Sequence, residues 1–340
     1  MPAPKTIFVV DDSSANLLMA EKALKQQYRV VTLSSAAKMF AALKKVTPDL
    51  ILLDIEMPEM NGHEAMKQLK ASETHSAIPV IFLTGLTEEA DEVHGFELGA
   101  IDFVTKPFSV PVLLNRIKHH LHIDELIRER TKQLIQLQNG IVFTLADMAE
   151  SRDANTGGHI ERTTNYIDIL IKAMIERQVY AAEIDTWNLE SVVSSARLHD
   201  IGKVAIPDAI LNKPARLNEE EFEVMKTHAQ EGERTIDKII FRTNHQTFLH
   251  NAKLFAGCHH ERWDGTGYPC GLKETNIPLQ GRIMAVIDVY DALISERPYK
   301  KSFTHEEAVK IIMENSGLQF DPAIADVFYE IRDRFKAGKM

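Results

Sequence analysis

Five apolar runs of four to six residues, Thr6–Val10, Arg29–Leu33, Asp49–Leu53, Pro79–Thr84 and Asp102–Thr105, punctuate the first 122 residues. Amphipathic stretches such as Ala15–Gln26 and Ala36–Lys45 separate them. Short apolar runs alternating with helical crossovers predict βαβ units. The first part of the chain should therefore be an α/β doubly wound, five-stranded parallel sheet with both faces covered. Past residue 122 the strand pattern stops. The remainder reads as helices joined by Gly- and Pro-rich loops, so an all-α second domain is expected. A length of 340 residues accommodates both. The expected division is 1–122, a helical joint over 123–148, and 149–340.

The joint has a pattern of its own. Ile127, Leu134, Ile141 and Met148 recur every seven residues, with Leu137 at the intervening seam position. That spacing suits a two-stranded coiled coil and hence a homodimer. Arg130 and Thr144 interrupt the other seam positions, and a single amphipathic helix packed on its own domain fits as well.

Charge narrows the function classes. The chain holds 39 basic and 49 acidic residues, a net charge of −10. Coating nucleic acid or an anionic membrane needs a basic footprint, so neither is expected. Residues 123–340 alone carry 27 basic against 34 acidic side chains and no recognition-helix motif, which disfavours a DNA-binding output. No stretch approaches the roughly 20 apolar residues of a membrane helix, and the start of the chain lacks a secretory pattern. A cytoplasmic protein is expected. Two cysteines make neither a disulfide framework nor a thiolate metal site. The fourteen histidines are left as the available metal ligands.

In a parallel sheet, ligands bind beyond the carboxyl ends of the strands. The residues there are Asp11 and Asp12, Asp54, Thr84 and Lys106. Three carboxylates at one edge repel one another and call for a hard cation such as Mg²⁺. A cation so placed can also hold a phosphoryl donor. This half resembles a response-regulator receiver domain, and Asp54-Ile55-Glu56-Met57-Pro58-Glu59-Met60-Asn61-Gly62 matches the loop after that family's phosphorylated aspartate. The resemblance implies phosphorylation of Asp54 by a cognate histidine kinase. It implies Mg²⁺ on Asp12, Asp54 and the Glu56 carbonyl, with Asp11 acting through water. It makes Thr84 and Lys106 the readers of the phosphate and Phe103 the aromatic switch.

In the second half, His199-Asp200-Ile201-Gly202-Lys203 sets an imidazole beside a carboxylate at the end of a helical pattern. The run His259-His260-Glu261-Arg262-Trp263-Asp264-Gly265-Thr266-Gly267-Tyr268-Pro269 puts two imidazoles before a Gly-rich turn. Such donors suit Fe²⁺, Mn²⁺, Ni²⁺ or Zn²⁺. Over roughly residues 141–335 the chain resembles the HD-GYP branch of the HD metal-dependent phosphohydrolases. The resemblance implies His159, His199, Asp200 and Asp288 around one metal. His228, His259 and His260 would hold a second, with Asp200 bridging, and iron or manganese rank ahead of nickel or zinc. It makes Asp200 and Lys203 catalytic and gives the substrate phosphates to Lys203, Arg297 and Lys300. Gly265, Gly267 and Pro269 fit a turn needing positive and fixed φ, with Tyr268 shaping it and Asp264 in the same loop.

Two departures stand out. Some family members carry a glutamate four residues before the first histidine ligand, helping a third metal; this chain has Asn155. A two-metal site follows, and cleavage stopping largely at the linear dinucleotide. The segment between His159 and His199 is also several residues longer than expected.

The implied function is a response regulator that hydrolyses cyclic di-GMP to pGpG, and in part to GMP, under control of Asp54. Two alternatives fit the same residues. One is a 3′,3′-cyclic GMP-AMP phosphodiesterase. The other is a module acting mainly by docking on a diguanylate cyclase or another partner.

Overall fold

The computed structural model describes residues 4–72, 74–85, 89–152, 158–243, 247–295 and 302–336. Strands β1 (Thr6–Val10), β2 (Arg29–Leu33), β3 (Leu50–Asp54), β4 (Val80–Thr84) and β5 (Asp102–Thr105) alternate with helices α1 (Ser14–Leu24), α2 (Ala36–Leu43), α3 (Gly62–Lys70) and α4 (Glu89–Glu97). The sheet order is β2-β1-β3-β4-β5, and each neighbouring pair is parallel. Side chains alternate across a strand, so each run feeds two cores. Ile7, Val9, Leu50, Leu52, Ile81 and Leu83 pack with Leu24, Leu113 and Ile117. Phe8, Val10, Ile51, Leu53, Val80 and Phe82 pack with Met39, Met66 and Leu69. The two-face burial accounts for the near-continuous apolar runs.

Helix α5 runs unbroken over Val110–Ser151. Compact units divide at Leu134 and Ile135, within that helix, so the joint of the sequence reading is not a separate element. In the second unit, Val142 and Ala146 of α5 bury into an apolar cluster. The heptad positions Ile127, Leu134, Leu137, Ile141 and Met148 are exposed. One helix thus packs by one stripe and leaves the seven-residue repeat uncovered.

The second unit continues helically through α6 (His159–Glu176), α7 (Ala181–Ile184), α8 (Leu189–Ser195), α9 (Asp208–Leu211), α10 (Glu219–Thr243) and α11 (Thr247–Cys258). It ends with α12 (Leu279–Ile294), α13 (His305–Glu314), α14 (Pro322–Glu330) and α15 (Arg332–Lys336). Short 3₁₀ turns at Ala196–Leu198 and Ile201–Ala205 follow α8. The main core joins α6, α12, α13 and α14, with the rings of Tyr166, Tyr290, Phe328 and Phe335 packed edge-to-face or tilted, centroids 4.9 to 5.5 Å apart. Each such ring contributes roughly 1.5–3 kcal/mol by burial, a rigid base for the α6 and α12 residues that face the histidines. No described helix is long and apolar enough to cross a membrane.

Candidate functional site

At the carboxyl edge of the sheet, Asp11 and Asp12 follow β1 and Asp54 closes β3, its neighbour. One oxygen from each of the three lies within 4.8 Å of the others. Asp11 and Asp54 are buried and Asp12 is exposed. The Lys106 Nζ stands 2.7 Å from both Asp11 Oδ2 and Asp54 Oδ1. Asp11 also accepts from the Ser13 amide at 2.9 Å and the Asn16 side chain at 3.1 Å. Burial pushes the Asp54 carboxyl above its usual range, against the opposing hydrogen bond from Lys106. Glu56 offers its backbone N–H to Asp54 at 3.4 Å. Thr84 is buried at the end of β4. Phe103 is turned inward against Phe82 and Phe96, and a Cβ on Gly95 would stand 2.4 Å from its ring.

In the second unit, four helices deliver imidazoles to one place. His159 opens α6, His199 follows the first 3₁₀ turn, His228 lies mid-way along α10, and His259 and His260 follow α11. Nδ1 of His199 meets the Ala196 carbonyl at 3.0 Å, that of His228 the Met225 carbonyl at 2.7 Å, and that of His259 the Phe255 carbonyl at 3.0 Å. A carbonyl only accepts, so each Nδ1 carries the proton and each Nε2 presents a lone pair. These Nε2 atoms converge: His159 and His199 are 3.3 Å apart, as are His228 and His259.

Asp200 joins the two pairs. Its Oδ2 lies 3.4 Å from His199 Nε2, and its Oδ1 lies 3.5 Å from His228 and 3.7 Å from His259. Asp288 Oδ1 is 3.4 Å from His159 Nε2. Burial opposes the charge on Asp200, but Lys203, at 2.7 Å, and His199 outweigh it and hold the carboxyl well below its ordinary range. Burial pushes His228 down and His259 to about 3, and takes His260 well below its normal value. Neutral imidazoles and ionised carboxylates are the state metal ligation requires. Ligand atoms of His159, His199 and Asp200 fall within 4.8 Å of one another, as do those of His228, His259 and His260. The donor set fits divalent cations.

Glycine makes this convergence sterically feasible. A Cβ on Gly202 would lie 1.9 Å from the His228 carbonyl oxygen and 2.4 Å from the Gly232 nitrogen. Only glycine lets the Ile201–Ala205 turn press onto α10 and carry Asp200 to His228. In the loop after the paired histidines, Gly265 has φ 81°. Gly267 does not use the left-handed region; its Cβ would meet the Arg262 nitrogen at 2.3 Å, so close approach is what requires it. Tyr268 lays its ring on His260 with centroids 4.7 Å apart, and Asp264 closes the turn by accepting from Thr266. The Tyr268–Pro269 peptide is cis.

Sequence reasoning missed Asp291. It is 1% exposed, accepts from His159 Nδ1 at 2.7 Å, and is gripped by Arg162 through Nε at 2.7 Å and Nη2 at 2.9 Å. Burial disfavours its charge, but the bonds from His159 and Arg162 win and hold the carboxyl low. The signal was present: Asp288 and Asp291 are three apart, on one helical face. Glu261 was also missed. It is buried and accepts the backbone N–H of Cys270 at 2.7 Å and of Leu272 at 2.9 Å, clasping the glycine-rich loop. Arg297, Lys300, Asn155 and His245 lie outside the described residues. His250 is exposed, and His305 bonds to the Tyr290 hydroxyl at 2.7 Å. A separate cleft of about 470 Å³, bounded by Gln138, Asn139, Glu190 and Phe248 among others, has no cation in its lining and does not match an anionic substrate.

The family profile described as HD domain matches residues 143–324, and that of the response regulator receiver domain matches residues 7–118. The chain belongs to the HD-domain family. It is a response regulator whose receiver precedes an HD-type, metal-dependent hydrolase domain. It is similar to a probable cyclic di-GMP phosphodiesterase of Vibrio cholerae, 42% identical over 95% of this chain and 77% of the relative. It is 34% identical to the cyclic di-GMP phosphodiesterase response regulator RpfG of Xanthomonas campestris, over 82% of this chain and 74% of that one. A 3′3′-cGAMP-specific phosphodiesterase 2 of Vibrio cholerae is 34% identical over 62% of this chain and 37% of its own length.

Proposed function

We propose that this response regulator hydrolyses cyclic di-GMP to pGpG at the histidine centre, under control of phosphorylation at Asp54 by a histidine kinase. One observation carries the reading: Asp200 stands between two converging imidazole pairs, with Asp288 on one of them. His159, His199, Asp200 and Asp288 would hold one cation. His228, His259, His260 and the other oxygen of Asp200 would hold a second. Iron or manganese suits this mixed set best. Bound divalent cations supply Lewis acidity and a water acidic enough to attack at neutral pH.

The side chains do the rest. Attack of water on phosphorus breaks the bond to the 3′ oxygen, which leaves with a proton, and one ring opening gives pGpG. Lys203, 2.7 Å from Asp200, would donate to a phosphoryl oxygen as charge builds there. Arg297 and Lys300 would hold the flanking phosphates, Arg through two parallel hydrogen bonds. Tyr268 keeps His260 in its rotamer by stacking. With Asn155 in place of a carboxylate, we assign two metals and a reaction stopping largely at pGpG.

In the receiver, Asp12, Asp54 and the Glu56 carbonyl would take Mg²⁺, with Asp11 acting through water. Thr84 and Lys106 would then bind the acyl phosphate. The uncovered heptad of α5 would pair with a second copy of the chain, in a cytoplasmic homodimer; light scattering of wild type and of Leu134→Lys should give dimer and monomer.

The relative named as cGAMP-specific supports a second reading, 3′,3′-cyclic GMP-AMP as substrate. Metal analysis of anaerobically purified protein, with product identification and side-by-side rates on the two dinucleotides, tests both. Faster turnover of cyclic di-GMP to pGpG supports the first reading, and faster turnover of the mixed dinucleotide the second. No hydrolysis of either by metal-loaded protein sinks both.

A further inference from the structure

The end of α5 and the residue after it touch both flanks of the histidine centre. Gly158, at the N-cap of α6, has φ 74° and no side chain with which to cap that helix. The first N–H groups of a helix need acceptors. Glu150, near the end of α5, supplies one: its Oε1 accepts the His159 N–H at 3.1 Å. Arg152, one residue past α5, reaches the other flank. Its Nη1 donates to the Val204 carbonyl at 2.5 Å and to the Lys203 carbonyl at 3.4 Å. Its Nη2 donates to the Ile206 carbonyl at 3.1 Å and to Asp208 at 2.7 Å. The guanidinium thereby caps the open carbonyl end of the 3₁₀ turn that starts from Asp200 and carries Lys203.

Two further features make this helix end a lever. Val142, Ala146 and Ala149 bury one side of α5, and Asn139 accepts from Ser194 at 2.8 Å, so the helix is seated on the layer that carries the histidines. The chain also passes from the first unit into the second along α5. A shift or rotation of α5 therefore pulls on His159 through Glu150 and on the Asp200–Lys203 turn through Arg152.

We infer that Glu150 and Arg152 are positioning residues, which set the spacing of the two metal-binding flanks and pass the state of the receiver to them. The inference rests on the reading that Asp54 controls hydrolysis. Displacements near 1 Å at reacting groups cost about 10²-fold in rate, so small movements of this helix end suffice.

The test uses the full-length chain, with and without beryllofluoride and Mg²⁺ to mimic phosphorylated Asp54. Measured couplings between sites span about 5- to 150-fold. Wild type is expected to change its rate within that range, with altered amide exchange in residues 159–163 and 199–206. Arg152→Ala should keep its two metals yet lose the response, its rate ratio falling to about 1. Arg152→Lys, which cannot fork between carbonyls, should lose most of it. Glu150→Gln, which keeps an acceptor oxygen, should respond more nearly as wild type than Glu150→Ala does. A side chain serving only fold stability would slow both states equally and leave the ratio intact.

A wild-type response ratio in Arg152→Ala overturns the inference. So does a rate response in the unmodified chain without exchange changes in those two segments, a measurement independent of how any variant folds. A wild type whose rate ignores beryllofluoride overturns receiver control itself, a different and recognisable failure.

Discussion

Removing the Asp291 carboxylate tests how the His159 imidazole is held. The side chain is 1% exposed and carries three hydrogen bonds of 2.7 to 2.9 Å, one from His159 and two from Arg162. Asp291→Ala removes the carboxylate that Arg162 grips; the guanidinium is 28% exposed and keeps its bond to Ser295, so the loss should fall below the about 3–5 kcal/mol of a fully buried pair. Asp291→Asn is gentler, since an amide oxygen can still accept from Nδ1 while the charge is lost. Partners behind metal-bound histidines are worth about 10–100-fold in metal affinity. For Asp291→Asn, equilibrium dialysis with elemental analysis should show one cation weakened by that factor. The cation on His228, His259 and His260 should be retained at wild-type affinity. Urea unfolding of the metal-free variants should rank wild type above Asn above Ala. Two cations held by Asp291→Asn as tightly as by wild type would refute the reasoning, because His159 would then need no anchor.

Other expectations follow from the same geometry. Gly202→Ala places a Cβ 1.9 Å from a carbonyl oxygen; the turn must move by over an ångström, so activity should fall at least about 10²-fold, checked by kcat with metal content measured alongside. Lys106→Met leaves two buried carboxylates facing each other; Asp54 should no longer respond to beryllofluoride, read by exchange at β4 and β5. Metal-free protein should lose stability as pH falls. The folded pKa of His259 lies near 3, against about 6.5 unfolded, so the unfolded chain binds more protons between those values, and stability drops by up to about 1.4 kcal/mol per pH unit for this group alone. Burial pushes His228 and His260 the same way, whereas the bond to Asp291 raises His159 against burial and opposes them in part. Melting curves from pH 7 to pH 5 check the sign.

What the sequence disclosed followed physical lines. The five strands were legible because both faces are buried, and each run stayed apolar without interruption. Asp200 and His199 were legible because the two candidate ligands sit beside each other in the chain. The reason for Gly202 was not, because the turn it permits is pressed against a carbonyl on a helix that follows in sequence. Asp291 was hidden for a similar cause: its partners His159 and Arg162 lie about 130 residues earlier, and only the packing of α6 on α12 joins them. Gly267 was read as a conformational glycine, yet it serves close approach, a distinction that needs coordinates. The joint showed its heptad plainly, but not that a second stripe, Val142 and Ala146, already packs into the second unit.

The converging histidines and Asp200 are expected to act as a phosphodiesterase centre. The most direct measurement is steady-state hydrolysis of cyclic di-GMP by anaerobically prepared protein of known metal content, beside His199→Ala and Asp200→Ala. The expected result is about two divalent ions per chain, pGpG as the accumulating product, and loss of at least one ion together with the activity in both variants. Wild-type protein holding two ions but leaving cyclic di-GMP intact, or variants that hydrolyse it at the wild-type rate, would contradict the account.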